Sequence, residues 1–85
     1  MIEKKPKELE SRKKNMRDRF ISYMHNKAHA DKEKALGSLN LLLDNPVGIG
    51  DHSTEDFYNN LDEALNILVD AEDRLEILNE YFPKD

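Results

Sequence analysis

His25 and His29 stand four residues apart, the spacing that stacks two imidazoles on one helix face as many zinc sites require. Two nitrogen ligands do not hold zinc, because structural sites take four protein donors and catalytic sites three. Asn26 follows His25 where a His-Glu-x-x-His site would carry glutamate, so no general base comes with the pair. A third ligand would have to come from Glu33, from the acidic second half of the chain or from another subunit. The balance favours two histidines facing solvent or a partner. No metal and no cofactor is assigned, and spacing alone does not decide whether the pair binds metal.

Gly48-Ile49-Gly50 precedes a helical segment, and free backbone N–H groups at a helix start can hold phosphate. Asp51, Glu55 and Asp56 crowd the same place with negative charge, no lysine follows, and neither a dinucleotide fingerprint nor a P-loop is completed. The acidic pairs Asp62-Glu63 and Glu72-Asp73 scatter around a helix wheel, and carboxylates left in open water are poor acid-base catalysts at neutral pH. Cysteine is absent, and Ser11, Ser22, Ser38 and Ser53 have no base at a meaningful spacing. The expectation is that the chain is not an enzyme.

Residues 1–19 carry eight Lys/Arg and four acids, enough basic charge to lie along a phosphate backbone. Lys13, Lys14 and Arg17 are the candidate nucleic-acid contacts. The acids are interleaved, the first aromatic arrives only at Phe20, and the whole chain has a net charge of −5. Nucleic acid is therefore a disfavoured partner that is kept as the alternative. The division of charge is sharp, with eleven Lys/Arg against six Asp/Glu in residues 1–34 and two against twelve in residues 35–85. Two antiparallel segments of opposite charge that attract along their flanks are the simpler account.

These residues must be positioned by helices. Phe57, Leu61, Ala64, Leu68, Ala71, Leu75, Leu78 and Phe82 recur at alternating steps of four and three, an unbroken heptad stripe. Ser53 or Thr54 can cap its start, Glu55 and Asp56 suit the first turn, and Pro83 stops it, so a helix is expected over 54–82. Ile67 lies to one side of the stripe and Tyr58, Leu65 and Val69 to the other, an apolar arc too wide for one neighbour. In the first half Met16, Phe20, Met24, Ala28, Ala35, Leu39 and Leu42 follow a looser stripe, interrupted by Asp31. No proline intervenes between Lys7 and Leu43, so one helix over 7–43 is expected, with a break within 29–37 around Gly37 as the alternative. Residues 1–6 and 83–85 read as tails, 1–6 being disordered. The stretch 44–53, with Asn45-Pro46 and two glycines, reads as the hairpin loop, and Val47 and Ile49 are able to fold back over the end of the bundle.

An 85-residue chain without cysteine has neither disulfides nor thiolate metal sites to reinforce a small core, which leaves association. No apolar run approaches the roughly 20 residues needed to span a bilayer, and Met1 to Pro6 lacks the apolar core of a signal peptide. Leu9 and Met16 offer too little apolar area to anchor the basic segment on a membrane surface.

The segment Leu41 to Ser53, with its Asn45-Pro46-Val47-x-Ile49-x-x-His52 stretch, and the helix closing in Leu75-x-x-Leu78-x-x-Tyr81-Phe82 resemble small proteins of T4-like tailed phages and marine metagenomes. The resemblance covers the loop and second helix, about half the chain, and leaves out the basic N-terminal third. Those proteins carry no assigned activity, so it implies a virus-like source and an accessory interaction role, and it transfers no functional residue.

The expectation is thus an all-α protein, one antiparallel two-helix hairpin, acting in the cytoplasm (the host's, if viral). It associates with itself as a dimer or higher assembly, most simply a four-helix bundle, and another protein is a further possible partner. Its core and self-association residues are Phe20, Met24, Leu39 and Leu42 from the first helix, with Phe57, Leu61, Leu65, Leu68, Leu75, Leu78 and Phe82 from the second.

Overall fold

The computed structural model describes residues 4–45 and 54–84, with side chains from residue 15 onward. Two helices make up the hairpin: α1, Lys4–Asp44, and α2, Thr54–Tyr81. They pack against one another, and no strand occurs among the described residues. The expected loop, including Val47 and Ile49, lies largely outside the described residues, as do residues 1–3.

Helix α1 runs without interruption through the segment where a break was the alternative. Gly37 sits on its exposed side, where the glycine penalty is spread over a 41-residue helix and does not end it. The helix also begins at Lys4, inside the stretch assigned to a disordered tail. Pro6 is compatible with this because the first-turn N–H groups have no intrahelical acceptor, so the missing donor costs nothing. At the other end Asn45 donates its backbone N–H to the Leu41 carbonyl at 3.0 Å. Pro46, next in sequence, has no N–H with which to extend the ladder. Glu55 and Asp56 occupy the first turn of α2, where the helix dipole favours negative charge. Its last turn closes with Phe82 N–H donating to the Leu78 carbonyl at 2.7 Å, before Pro83.

The interface between the helices is thin. Its buried residues are Ala28 and Ala35 from α1, and Ala64, Ala71, Leu75 and Leu78 from α2, joined by His25. Ala28 and Ala35 are one heptad apart, as are Ala64 and Ala71, so small side chains recur along both sides of the seam. Alanines at such positions let two helix axes approach toward the near end of the usual 8–10 Å range. Leu39, Leu42, Phe57, Leu61 and Leu68 are half-buried along the same line. No large side chain among the described residues is fully buried.

The face that α1 turns inward keeps Ala28, Ala35, Leu39 and Leu42 of the stripe read in its sequence and departs from it at Met16, Phe20 and Met24. Ile21, Ala28, Ala35 and Leu42 form one row of the seam and His25, Lys32 and Leu39 the other, all buried or half-buried. Met16, Phe20 and Met24 lie to the side, with Phe20 61% exposed. The polar residues His25 and Lys32 hold seam positions that apolar periodicity does not mark, while the apolar Met16, Phe20 and Met24 stand beside them.

The two helices are unequal, and the overhang is N-terminal. Because His25 lies beside the end of α2, the helix from Lys4 to Phe20, about 25 Å at 1.5 Å per residue, extends past the last full turn of α2. The radius of gyration is 20.5 Å, against about 12 Å for a compact chain of this length.

Candidate functional site

The one buried polar side chain in the described hairpin is His25. Its Nε2 lies 2.7 Å from the carbonyl oxygen of Phe82. A carbonyl only accepts, so Nε2 carries the hydrogen and donates it. The last carbonyls of a helix have no intrahelical partner, and this bond supplies one just past the end of α2 from a side chain on α1. The stretch that follows α2 is tied back a second time, by Lys84 Nζ donating to Asn26 Oδ1 at 3.1 Å.

This corrects the expectation of two histidines facing solvent or a partner. His25 is turned into the seam and uses Nε2 in a structural bond, while His29, four residues on, is exposed. Spacing placed both on one turn of the wheel, but four residues rotate a side chain by about 40°, enough to carry His29 off a seam this narrow. No group of three His, Cys, Asp or Glu able to hold a metal occurs among the described residues.

Ion pairing between the helices is sparse among the described residues. Lys32 Nζ meets Glu72 Oε1 at 3.3 Å across the seam, and the other two pairs, Lys27–Asp31 at 3.3 Å and Arg74–Asp70 at 2.9 Å, stay within one helix. Lys32 occupies an inward position because its aliphatic stem can lie along the alanines while the ammonium reaches the edge.

The apolar surface left over falls into two flanks. On one, Met16, Phe20 and Met24 border Ile21 and Phe82 at the open end of the hairpin, and Tyr23 and Met24 border Ile77 and Leu78 across the adjoining groove. Met16, Phe20, Tyr23, Ile77 and Tyr81 are each more than half exposed. On the opposite flank, by helical rotation of about 100° per residue, stand Tyr58, Leu65 and Val69, also more than half exposed. Further along the first flank, toward the loop end, the groove turns acidic: Asp31, Asp62, Glu63 and Asp70 line it with Lys34, Asn66 and Ile67.

Of the residues expected to form the core, Leu75 and Leu78 are buried; Leu39, Leu42, Phe57, Leu61 and Leu68 are half-buried. Phe20, Met24, Leu65 and Phe82 remain exposed in the single chain. Arg17 is exposed on the overhanging helix, and the side chains of Lys13 and Lys14 lie outside the described ones. Ala28 and Ala35 lie on the stripe read in the sequence of α1 and are buried, whereas His25 is a seam residue that apolar periodicity does not mark. No described helix is long and apolar enough to cross a membrane. Comparison of the chain with protein-family models, with curated proteins and with solved structures finds no match, so its surfaces are read from their own chemistry.

Proposed function

We propose that the chain is a non-enzymatic structural or protein-interaction accessory protein that self-associates through its apolar helix faces, two hairpins making a four-helix bundle. The carrying observation is surface area. The hairpin exposes 7206 Å², whereas a compact monomer of 9.9 kDa exposes about 5,200 Å². The excess of about 2,000 Å² exceeds the roughly 800 Å² each partner contributes to a standard protein interface. Twelve large hydrophobic side chains are exposed among the described residues, beside a seam built largely of alanine and two leucines. Cytoplasmic action fits the absence of cysteine.

Size exclusion with light scattering, at low and high salt, tests this reading. An assembly of at least two copies is expected to survive high salt, because apolar burial is not screened. Leu68→Ala should lower both the melting temperature and the assembled fraction. A chain that stays well folded as one copy at every concentration defeats the reading.

A second reading, contact with nucleic acid, is favoured by one observation: Arg17 and Arg19 are exposed on a helix that has no helix of its own chain across from it. It predicts binding to a DNA or RNA duplex that weakens steeply as salt rises, lost when Lys13, Lys14 and Arg17 are neutralised.

A further inference from the structure

The flank that carries Phe20, Met24, Ile77 and Tyr81 draws on both helices, and all four side chains are exposed. It runs the length of α2, about 42 Å for 28 residues at 1.5 Å each, on a hairpin 21 × 17 Å across. Its area is therefore on the order of 800 Å², which is what each partner gives to a standard protein interface.

Resting on the self-association read above, we propose that a second copy docks on this flank about a two-fold axis running along the helices, so that α1 of each copy lies against α2 of the other. Two hairpins that meet flank to flank with their helices aligned have two such axes open to them, one along the helices and one across them. The axis across the helices pairs α1 with α1 and α2 with α2. Helix α2 carries nine acids and one arginine, so that pairing sets two strongly acidic helices side by side. Helix α1 carries five Lys/Arg and four acids over residues 15–44, which makes it the better neighbour for α2. The crosswise axis also turns one hairpin end for end. With the bodies overlapped, the apolar open end of each copy then meets the groove of Asp31, Asp62, Glu63 and Asp70 in the other. With the apolar ends superposed instead, the bodies point apart and little else is covered.

The axis along the helices keeps each level of one copy beside the same level of the other. Lys32 reaches Glu72 across the seam, and counting in opposite directions from that contact puts Lys34 level with Asp70. The same count puts Asp31 next to the level of Arg74, and Met24 next to that of Tyr81. In the dimer Met24 therefore faces the partner's Tyr81, Asp31 faces the partner's Arg74 and Lys34 faces the partner's Asp70, apolar on apolar and charge on opposite charge. Asp31 and Arg74 are held in solvent-facing pairs within their own helices, which cost little to exchange. On the opposite flank the same axis would set Glu33 beside the partner's Glu72, acid against acid. Both N-terminal overhangs leave the bundle at one end, on diagonal corners. They stand about 11–14 Å apart for neighbouring helices 8–10 Å apart, beyond the Debye length of about 8 Å at physiological salt.

Cross-linking separates the arrangements, since the chain has no cysteine of its own. A short thiol cross-linker is expected to join Met24→Cys chains to Ile77→Cys chains when the two are mixed, and to join neither variant to itself, because like helices meet only across the diagonal. Met24→Cys joined to itself would show the crosswise axis, and Leu36→Cys joined to Leu65→Cys in place of the first pair would move the interface to the other flank. Either result overturns the proposed geometry while leaving self-association standing. Sedimentation equilibrium reads the charges: Asp31→Arg and Arg74→Asp are each expected to raise the dimer dissociation constant about tenfold, since two pairs per dimer turn repulsive. An equal mixture should recover most of that loss, because each altered side chain then meets its opposite in the other chain, which no effect within one chain can imitate. Variants that dimerise as tightly as the parent, or a mixture no tighter than its components, would overturn the facing of Asp31 and Arg74. A parent chain that is one copy at every concentration would overturn the self-association as well.

Discussion

The ring nitrogen Nε2 of His25 donates to the carbonyl of Phe82 across 57 positions of sequence, at 2.7 Å and with the imidazole 2% exposed. It is the one described hydrogen bond that ties the body of α1 to the terminus of α2 from inside the seam.

Replacing His25 by phenylalanine keeps a ring of similar shape but leaves the Phe82 carbonyl without its donor. The bond is only part-buried and Phe82 is exposed, so its loss costs about 0.5–1.5 kcal/mol, the net worth of a typical hydrogen bond. Urea unfolding followed by circular dichroism, at matched protein concentration because association shifts apparent stability, should show that loss. A His25→Phe protein as stable as the parent would mean that water replaces the bond without penalty.

The alanine seam makes the opposite prediction to a leucine core. Ala71→Leu adds three carbons at a position 1% exposed, and overpacking of this kind costs about 1–3 kcal/mol. The same substitution at an exposed site such as Asn66 should change the unfolding midpoint little. Stabilisation by Ala71→Leu would show that the helices are free to separate at no cost.

Gly37 is helical, exposed, and has nothing within 4 Å of where a Cβ would stand. Alanine there removes the glycine penalty with no clash, so Gly37→Ala should stabilise the hairpin by about 1 kcal/mol. A thermal melt reads the gain directly, and a loss would indicate that α1 needs to bend at that turn.

Lys32–Glu72 is the described ion pair between the helices, with side chains 32% and 53% exposed. Pairs in such contact with water are worth about 0–1 kcal/mol. A double-mutant cycle of Lys32→Met and Glu72→Gln should therefore return a coupling energy no larger than that. A coupling well above it would mean the pair is shielded from solvent, for instance by a second chain.

How far the sequence carried the fold depended on which residues mark the seam. In α2 the eight positions from Phe57 to Phe82 are all apolar, so the stripe and the inward face coincide, and Ala64, Ala71, Leu75 and Leu78 are buried. In α1 the inward rows include His25 and Lys32, and larger apolar side chains at Met16, Phe20 and Met24 lie beside them. Hydrophobic counting weighs a methionine above an alanine and cannot see that a histidine will find a carbonyl near the C-terminus of a distant helix. The continuity of α1 through Gly37 was open in the sequence, because no proline opposes the helix but the glycine weakens it. The separation of the surface into a patch followed by an acidic groove was not legible, because it depends on how far α2 reaches along α1, a register set by contacts distant in sequence such as His25–Phe82 and Lys32–Glu72.

The small residues along the seam also govern what happens outside it. Two stiff rods that touch along a narrow line act as a pair of tongs, and the gap at the outer edges follows the thickness of whatever lies at the hinge. A single bulky replacement at Ala28 or Ala71 would swing Met24 away from Ile77 and change the width of a surface neither alanine touches. Any contact made at that rim would thereby be tuned from the pivot, by substitutions that lie outside the contact itself.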